Sequence, residues 1–375
     1  MSDQEKIMML AAGDVCINRE DPDSIFAHVT PTIKAADIAF CQLETTLSER
    51  GIPFPQGRVP ARSHPKNGAA IKNAGFNVVS FASNHAMDMG PDAFFDTIEV
   101  MRKLGIELIG VGRNIEEARK PQIVNCKGTR VAFLSYNSIL PMGYWAEAKR
   151  PGCAPLRGWT FYEQVEHDQP GTPARVHSFA HEEDKAAMIE DIKKAKAQAD
   201  LLMVSMHWGI HFVEAEIAAY QKELGYAAID AGADIILGHH AHILKAIEFY
   251  KGKPIIYSLA NFAFDQVMSQ EALNSKRWRE LMALNPSWTI DPRYKAYPFP
   301  ADSRMGMACK ITISRKQIER LSFLPLMINE DSEPCFFRQK DKEFQDVLKY
   351  MEKITRAAQI KTRYTIEGDE VVVSE

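Results

Sequence analysis

The sequence predicts an α/β layered fold, and three observations carry that prediction. Short, continuous apolar runs alternate with helical patterns over the first 265 residues. Most of those runs are bounded by turn residues or polar clusters, as strands buried on both faces are. Five of them end in clusters of carboxylate, amide or imidazole side chains, which is where open α/β sheets gather ligands.

Taken in order, Ile7–Ala12, Ile38–Leu43, Val78–Ala82, Ile106–Val111, Val131–Tyr136, Leu201–Met206 and Ile235–Leu237 read as strands. Asp92–Leu104, His181–Ala199 and Glu214–Ala231 read as helices between them. The second begins with Glu182, Glu183 and Asp184, which suit the positive end of a helix dipole. It also spaces Ile189, Ile192, Ala195 and Ala199 along one face. Asn114 followed by Glu117 reads as an N-cap with a capping-box partner. Met307–Ser314 and Ile318–Met327 read as a strand pair around Arg315-Lys316-Gln317, and Glu343–Ala358 as a closing helix.

Two stretches interrupt this rhythm. Residues 141–180 are rich in Pro, Gly, aromatic and charged residues, and residues 266–303 hold Trp278, Trp288, Tyr294 and Tyr297 among four prolines. Long irregular insertions of this kind tend to be lids or binding loops, so substrate identity is expected to reside in them. The expected organisation is one domain over 1–330, with a helix and tail over 331–375 packing on it.

Composition narrows the function. The chain has 375 residues, 46% hydrophobic and 25% charged, as soluble globular chains do. Lys plus Arg number 45 against 49 Asp plus Glu, a net charge of -4 that gives no footprint for nucleic acid or an anionic membrane. A small-molecule or peptide-like substrate is the expected partner. The apolar run at Ile7 is too short for a signal peptide or a membrane span. Six scattered cysteines without a C-x-x-C pair read as reduced thiols, so the expected location is cytoplasmic.

The five strand-end clusters are Gly13-Asp14-Val15-Cys16, Gln42-Leu43-Glu44-Thr45, Ser83-Asn84-His85-Ala86-Met87-Asp88, Met206-His207-Trp208-Gly209 and Gly238-His239-His240-Ala241-His242. Six of the eleven histidines fall in or beside them: His85, His207, His211, His239, His240 and His242. Neutral imidazoles and carboxylates are the ligands that zinc, manganese and iron take. The sequence has no P-loop, no G-x-G-x-x-G and no G-x-S-x-G, which argues against nucleotide kinases, dinucleotide enzymes and serine hydrolases.

The order G-D, L-E-T, N-H-A-x-D-x-G, H-W-G, G-H-H-x-H and then Tyr257-Ser258-Leu259-Ala260-Asn261-Phe262 resembles the CapA family of capsule (poly-γ-glutamate) synthesis proteins over roughly residues 7–265. The fold of that family is related to the calcineurin-like metallophosphoesterases. The resemblance implies a four-layer α/β/β/α sandwich whose loops converge on one site. It implies metal-ligand positions at Asp14, Glu44, Asn84, His207, His239, His240 and His242 for one or two divalent Mn, Zn or Fe ions. The cluster leaves open whether His239 or His240 joins His242 in facing inward. By the same resemblance His85 matches the histidine that contacts the leaving group, with Asp14 and His242 as further catalytic candidates. Two positions depart from the metallophosphoesterase pattern: Cys16 stands where D-x-H has its histidine, and Glu44 where an Asp is usual.

Arg58 and Arg62 fall where CapA relatives carry an Arg-containing loop and could grip a carboxylate or phosphate. Trp208 and His211 complete the candidates for substrate contact. Three functions follow. The first is a metal-dependent hydrolase of a phosphoester, amide or ester. The second is a metal-independent epimerase or lyase using Asp14 and a histidine of the 239–242 cluster. The third is a non-hydrolytic capsule or poly-γ-glutamate assembly protein.

Overall fold

A computed structural model describes residues 6–57, 60–283 and 286–375. It is a mixed α/β structure with two large sheets. In the ten-stranded sheet, Ile7–Cys16 lies at the centre, parallel to Ile38–Leu43 on one side and antiparallel to Met305–Ser314 on the other. Val78–Ser80 and Leu108–Ile109 extend it in parallel. Gln317–Ile328, Glu370–Ser374 and Arg363–Glu367 extend it antiparallel, so the end of the chain joins the same sheet as its beginning. The six-stranded sheet runs Ile247–Tyr250, Lys253–Ile256, Ile235–His239, Leu201–His207, Thr129–Asn137 and Gln122–Cys126, with four parallel strands at its centre.

Side chains on a strand alternate between faces, and here the alternation separates three cores. Met9, Ala11, Phe40 and Val78 of the larger sheet share one core with Val131, Phe133, Met203, Ile235 and Leu237 of the smaller. Phe40 and Phe133 stack across it with centroids 6.3 Å apart. The intervening residues Leu10, Ala39, Cys41 and Val79 point the other way, into a core that includes Ile71 of the Gly68–Ala74 helix and Phe94 and Met101 of Gly90–Lys103. Leu134, Leu202, Val204 and Ile236 likewise meet Met188 and Ile192 of Glu182–Lys196 and Leu224 and Ala228 of Ala219–Ala231. Phe344, Val347, Met351 and Ile354 of Lys342–Ala357 close the intersheet core beside Gln317–Ile328.

Some elements differ from expectation. The strand expected over Ile106–Val111 is two short pieces, Leu108–Ile109 and Val111–Gly112, because Gly110 turns the chain with φ +79°. The helix expected from Glu214 begins at Ala219. Residues ahead of it form a loop with positive φ at Phe212 and Ala215, pinned by the Lys245 Nζ, which donates to the carbonyls of Val213 and Glu216. The 141–180 insertion holds a hairpin, Gly158–Glu163 with Arg175–Ala180, that leans on Tyr220 through Ser178. The 266–303 insertion contains two short helices, Gln270–Leu273 and Lys276–Met282. Among the described residues no helix is long and apolar enough to cross a membrane.

Candidate metal centre

Each ligand-type side chain sits at the C-terminal end of a parallel strand. Asp14 lies near the end of Ile7–Cys16, Glu44 just past Ile38–Leu43, and Asn84 and His85 four and five residues past Val78–Ser80. His207 and His239 are the last residues of their strands. The strand ends can converge because the backbone packs closely there. A Cβ on Gly13 would lie 2.0 Å from the Ala260 carbonyl oxygen, and one on Gly238 2.2 Å from that of Tyr257. Both positions therefore require glycine.

Asp14 Oδ1 is 3.2 Å from His239 Nδ1, and Oδ2 accepts the His240 backbone N–H at 3.1 Å. Asn84 Oδ1 lies 2.7 Å from His207 Nε2 and 3.0 Å from His240 Nδ1. Glu44 Oε1 is 3.0 Å from His207 Nε2, and His242 Nδ1 is 2.7 Å from Asn261 Oδ1. His211 packs against His240 with ring centroids 3.8 Å apart and the rings tilted by 36°. His240 and His242 hold φ of +87° and +55°, conformations that cost non-glycine residues about 1–3 kcal/mol and concentrate at functional sites. The sequence left open which of His239 and His240 turns inward. Both border the cluster, His239 through Asp14 and His240 through Asn84.

The electrostatics follow from burial. Asp14, Glu44, His207 and His239 are fully buried. Burial first, and the Asp14 charge second, push the Glu44 carboxyl up to about 8. Burial and the surrounding imidazoles hold His207 well below the ordinary histidine range, so its ring is neutral. For His85 burial opposes the charge, but the Asp88 carboxylate 2.6 Å from Nδ1 outweighs it and pushes the ring up to about 9.

The donor set fits a divalent cation. One ligand atom each from Asp14, Glu44 and His207 lies within 4.8 Å of the others. Asp14 Oδ1, both Glu44 oxygens and both His239 nitrogens are buried without hydrogen-bond partners among the described residues. Buried polar atoms are rarely left so, and carboxylate oxygens with neutral imidazole nitrogens are what manganese, zinc or iron accepts. Cys16 takes no part: its Sγ is directed at the Asp265 carbonyl, and burial raises the thiol far out of the thiolate range.

A cavity of about 700 Å³ opens beside this centre, lined by Asn84, His85, His211 and His242 on one side and by the 266–303 insertion on the other. Arg62 is exposed on a smaller adjoining pocket that also reaches Glu44 and His85. Arg58 lies outside the described residues. Trp208 requires a correction as a substrate contact. His207 points into the site, so the next residue points to the opposite face, where the indole is fully buried and donates to the Tyr257 carbonyl at 3.1 Å. The 141–180 insertion also supplies no lining residue to this cavity, although its Tyr144 donates to Asp88 at 2.8 Å. Sequence reasoning missed Asn261, which orients His242, and Phe212 and Phe299, which wall the cavity. Asn261 stood in a recognised motif, but only its contact with His242 reveals its role. A larger groove of about 860 Å³ beside Gly90–Lys103 shares no residue with the centre.

Fold and site together define an α/β protein with a buried carboxylate–imidazole cluster at its sheet ends. The chain belongs to the family described as Bacterial capsule synthesis protein PGA_cap, which matches residues 6–266. It is 29% identical over 275 residues to the Capsule biosynthesis protein CapA of Bacillus anthracis, covering 70% of this chain and 61% of that one. It is 30% identical over 264 residues to the PGA biosynthesis protein CapA of Bacillus subtilis (strain 168), covering 69% and 62%. A probable polyglutamine synthesis accessory protein of Mycobacterium tuberculosis is 28% identical over 235 residues, covering 62% and 56%. The match thus spans about three fifths of the length of the two Bacillus relatives.

Proposed function

We propose that this chain is a metal-dependent hydrolase of a phosphoester, amide or ester, built on an α/β/β/α arrangement of its two sheets and their helices. One observation carries the reading: Asp14, Glu44 and His207 bring one ligand atom each within 4.8 Å of the others, with Asp14 Oδ1 and both Glu44 oxygens buried and lacking a hydrogen-bond partner among the described residues, beside a cavity large enough for a small molecule. Asp14, Glu44, Asn84, His207, His239 and His242 would hold one or two Mn, Zn or Fe ions, with His240 bordering them through Asn84. Such an ion, when bound, supplies Lewis-acid polarisation and a water acidic enough to attack near neutral pH.

The protein's own groups do the rest. In this reading His85, held by Asp88 through Nδ1 and lining the cavity, keeps a proton on Nε2 at neutral pH and gives it to the leaving group. His242, fixed by Asn261, presents its other face to the cavity, where His211 also lies. Arg62, which forms no ion pair with another described residue, is available to an anionic oxygen of the substrate. The six free cysteines, four of them buried, suit a reducing compartment, and we place the protein in the cytoplasm on that ground.

The names of the relatives favour a second reading, in which the cleft serves assembly of a capsule polymer without turnover. Elemental mass spectrometry on wild type, Glu44→Gln and His207→Ala separates these readings when combined with a phosphoester and amide screen. The hydrolase reading expects near-stoichiometric metal in wild type, its loss in both variants, and turnover that chelation abolishes. Activity that survives complete chelation but disappears in Asp14→Asn would instead indicate acid–base chemistry without metal. Polymer binding with no turnover would support the assembly role.

A further inference from the structure

The cavity beside the metal centre has two unlike ends. The chamber of about 700 Å³ carries an apolar wall of Phe212, Met268, Trp278, Leu281 and Phe299, alongside the polar Asn84, His85, His211 and His242 that border the ligand cluster. Among its described lining residues the sole lysine or arginine is Lys276, which lies 3.6 Å from Glu280. The adjoining pocket of about 90 Å³ brings Arg62 beside Glu44 and His85. The two spaces share Pro60, His85, Gln266 and Met268, so they adjoin, and His85 stands on the wall of both.

An acidic polymer carries a carboxylate on every unit, and seating several of them against five apolar side chains would desolvate charge that the wall does not pair. An aryl or branched-alkyl group gains from every part of its apolar surface that it buries in the same space. We propose, building on the hydrolase reading, that the cleft takes a compact substrate with an anionic head at His85 and Arg62 and an aryl or branched-alkyl group in the apolar chamber, in preference to a run of anionic polymer. In turnover of such a phosphomonoester, water forms the new P–O bond as the bond to the alcohol breaks, and the alkoxide leaves with the proton from His85 Nε2. The proton released by the attacking water restores the site.

The test uses the full chain with manganese and three probes in calorimetry: naphthylmethylphosphonate, methylphosphonate and tetra-γ-glutamate. The proposal expects naphthylmethylphosphonate to bind at least tenfold tighter than either of the others. It also expects Leu281→Asp and Met268→Asp, two half-buried positions, to collapse that ratio while far-UV circular dichroism is retained. An advantage below threefold in wild type, or tetra-γ-glutamate binding as tightly as the naphthyl probe, overturns it whatever the variants do. Turnover of naphthylmethyl phosphate against methyl phosphate, whose leaving groups are similarly basic, separates the two claims. Preferential binding without turnover of either ester under Mn, Zn or Fe removes the phosphoester branch of the hydrolase reading and keeps the apolar chamber. Equal kcat/KM for both esters keeps the hydrolase and removes the chamber.

Discussion

His85 Nδ1 lies 2.6 Å from the Asp88 carboxylate, three residues along the same loop, while the opposite nitrogen of the ring faces Glu44 at 3.9 Å. Asp88 is itself fixed by the Ala61 N–H at 2.7 Å and the Tyr144 hydroxyl at 2.8 Å. One buried carboxylate thus orients the imidazole and raises its affinity for a proton.

Asp88→Asn is therefore expected to lower kcat about tenfold to a hundredfold, as loss of an orienting partner does. The His85 ring, now at about 9, would lose its proton at lower pH. The alkaline limb of the pH–rate profile should move downward by at least one unit. Tyr144→Phe, which removes one contact to the same carboxylate, should shift it less. An unmoved limb in Asp88→Asn would show that His85 is not the acid.

A cation that binds only the folded chain raises stability by about 2.7 kcal/mol at a hundred times its Kd. Manganese or zinc should accordingly raise the Tm of chelator-treated wild type by several degrees. The shift should vanish in His207→Ala and in Glu44→Gln, whose wild-type side chains share the site with Asp14. Equal shifts in wild type and both variants would place the ion elsewhere.

Lys245 is buried, and among the described residues its ammonium donates to the carbonyls of Val213 and Glu216, so burial lowers it to about 8 from an ordinary lysine value. Between about 8 and about 10.4 the unfolded chain holds a proton there that the folded chain does not, and stability rises with pH. Below about 8 both states are protonated and the cost of the buried charge is fully present. Denaturant unfolding of wild type and Lys245→Met should show their difference moving in favour of wild type between pH 8 and pH 10. A difference independent of pH would mean that the lysine titrates normally.

Trp208→Ala should cost about 3–5 kcal/mol, the range for a large aromatic removed from a packed core. Because the indole faces Tyr257 and the helix at Gly225, metal stoichiometry of the folded fraction should be unchanged. A variant of normal Tm with altered substrate affinity would return Trp208 to the cleft.

The order of buried strands was legible because a strand covered on both faces must be apolar along its whole length, as Ile38–Leu43 is. The candidate ligands stood out for a related reason: carboxylates and imidazoles that follow such apolar runs need partners once they are buried. What misled was the segment after Gly209. Its residues suit a helix, but two positive φ values and the Lys245 ammonium hold it as a loop until Ala219.

Residue types and their places along the strands, then, fixed the α/β class, the family and the set of candidate ligands. Tertiary structure decided which atoms meet. Asn84 and His207 are 123 residues apart in sequence and 2.7 Å apart in space. Trp208, one residue on, is turned by strand alternation into the opposite core. Asn261, Asp88 and the apolar chamber under 266–303 acquire their roles only from packing. The hydrophobic pattern is local, since each residue chooses a face by its own chemistry. Contacts between loops depend on how two sheets twist and stack, which no single stretch of sequence encodes.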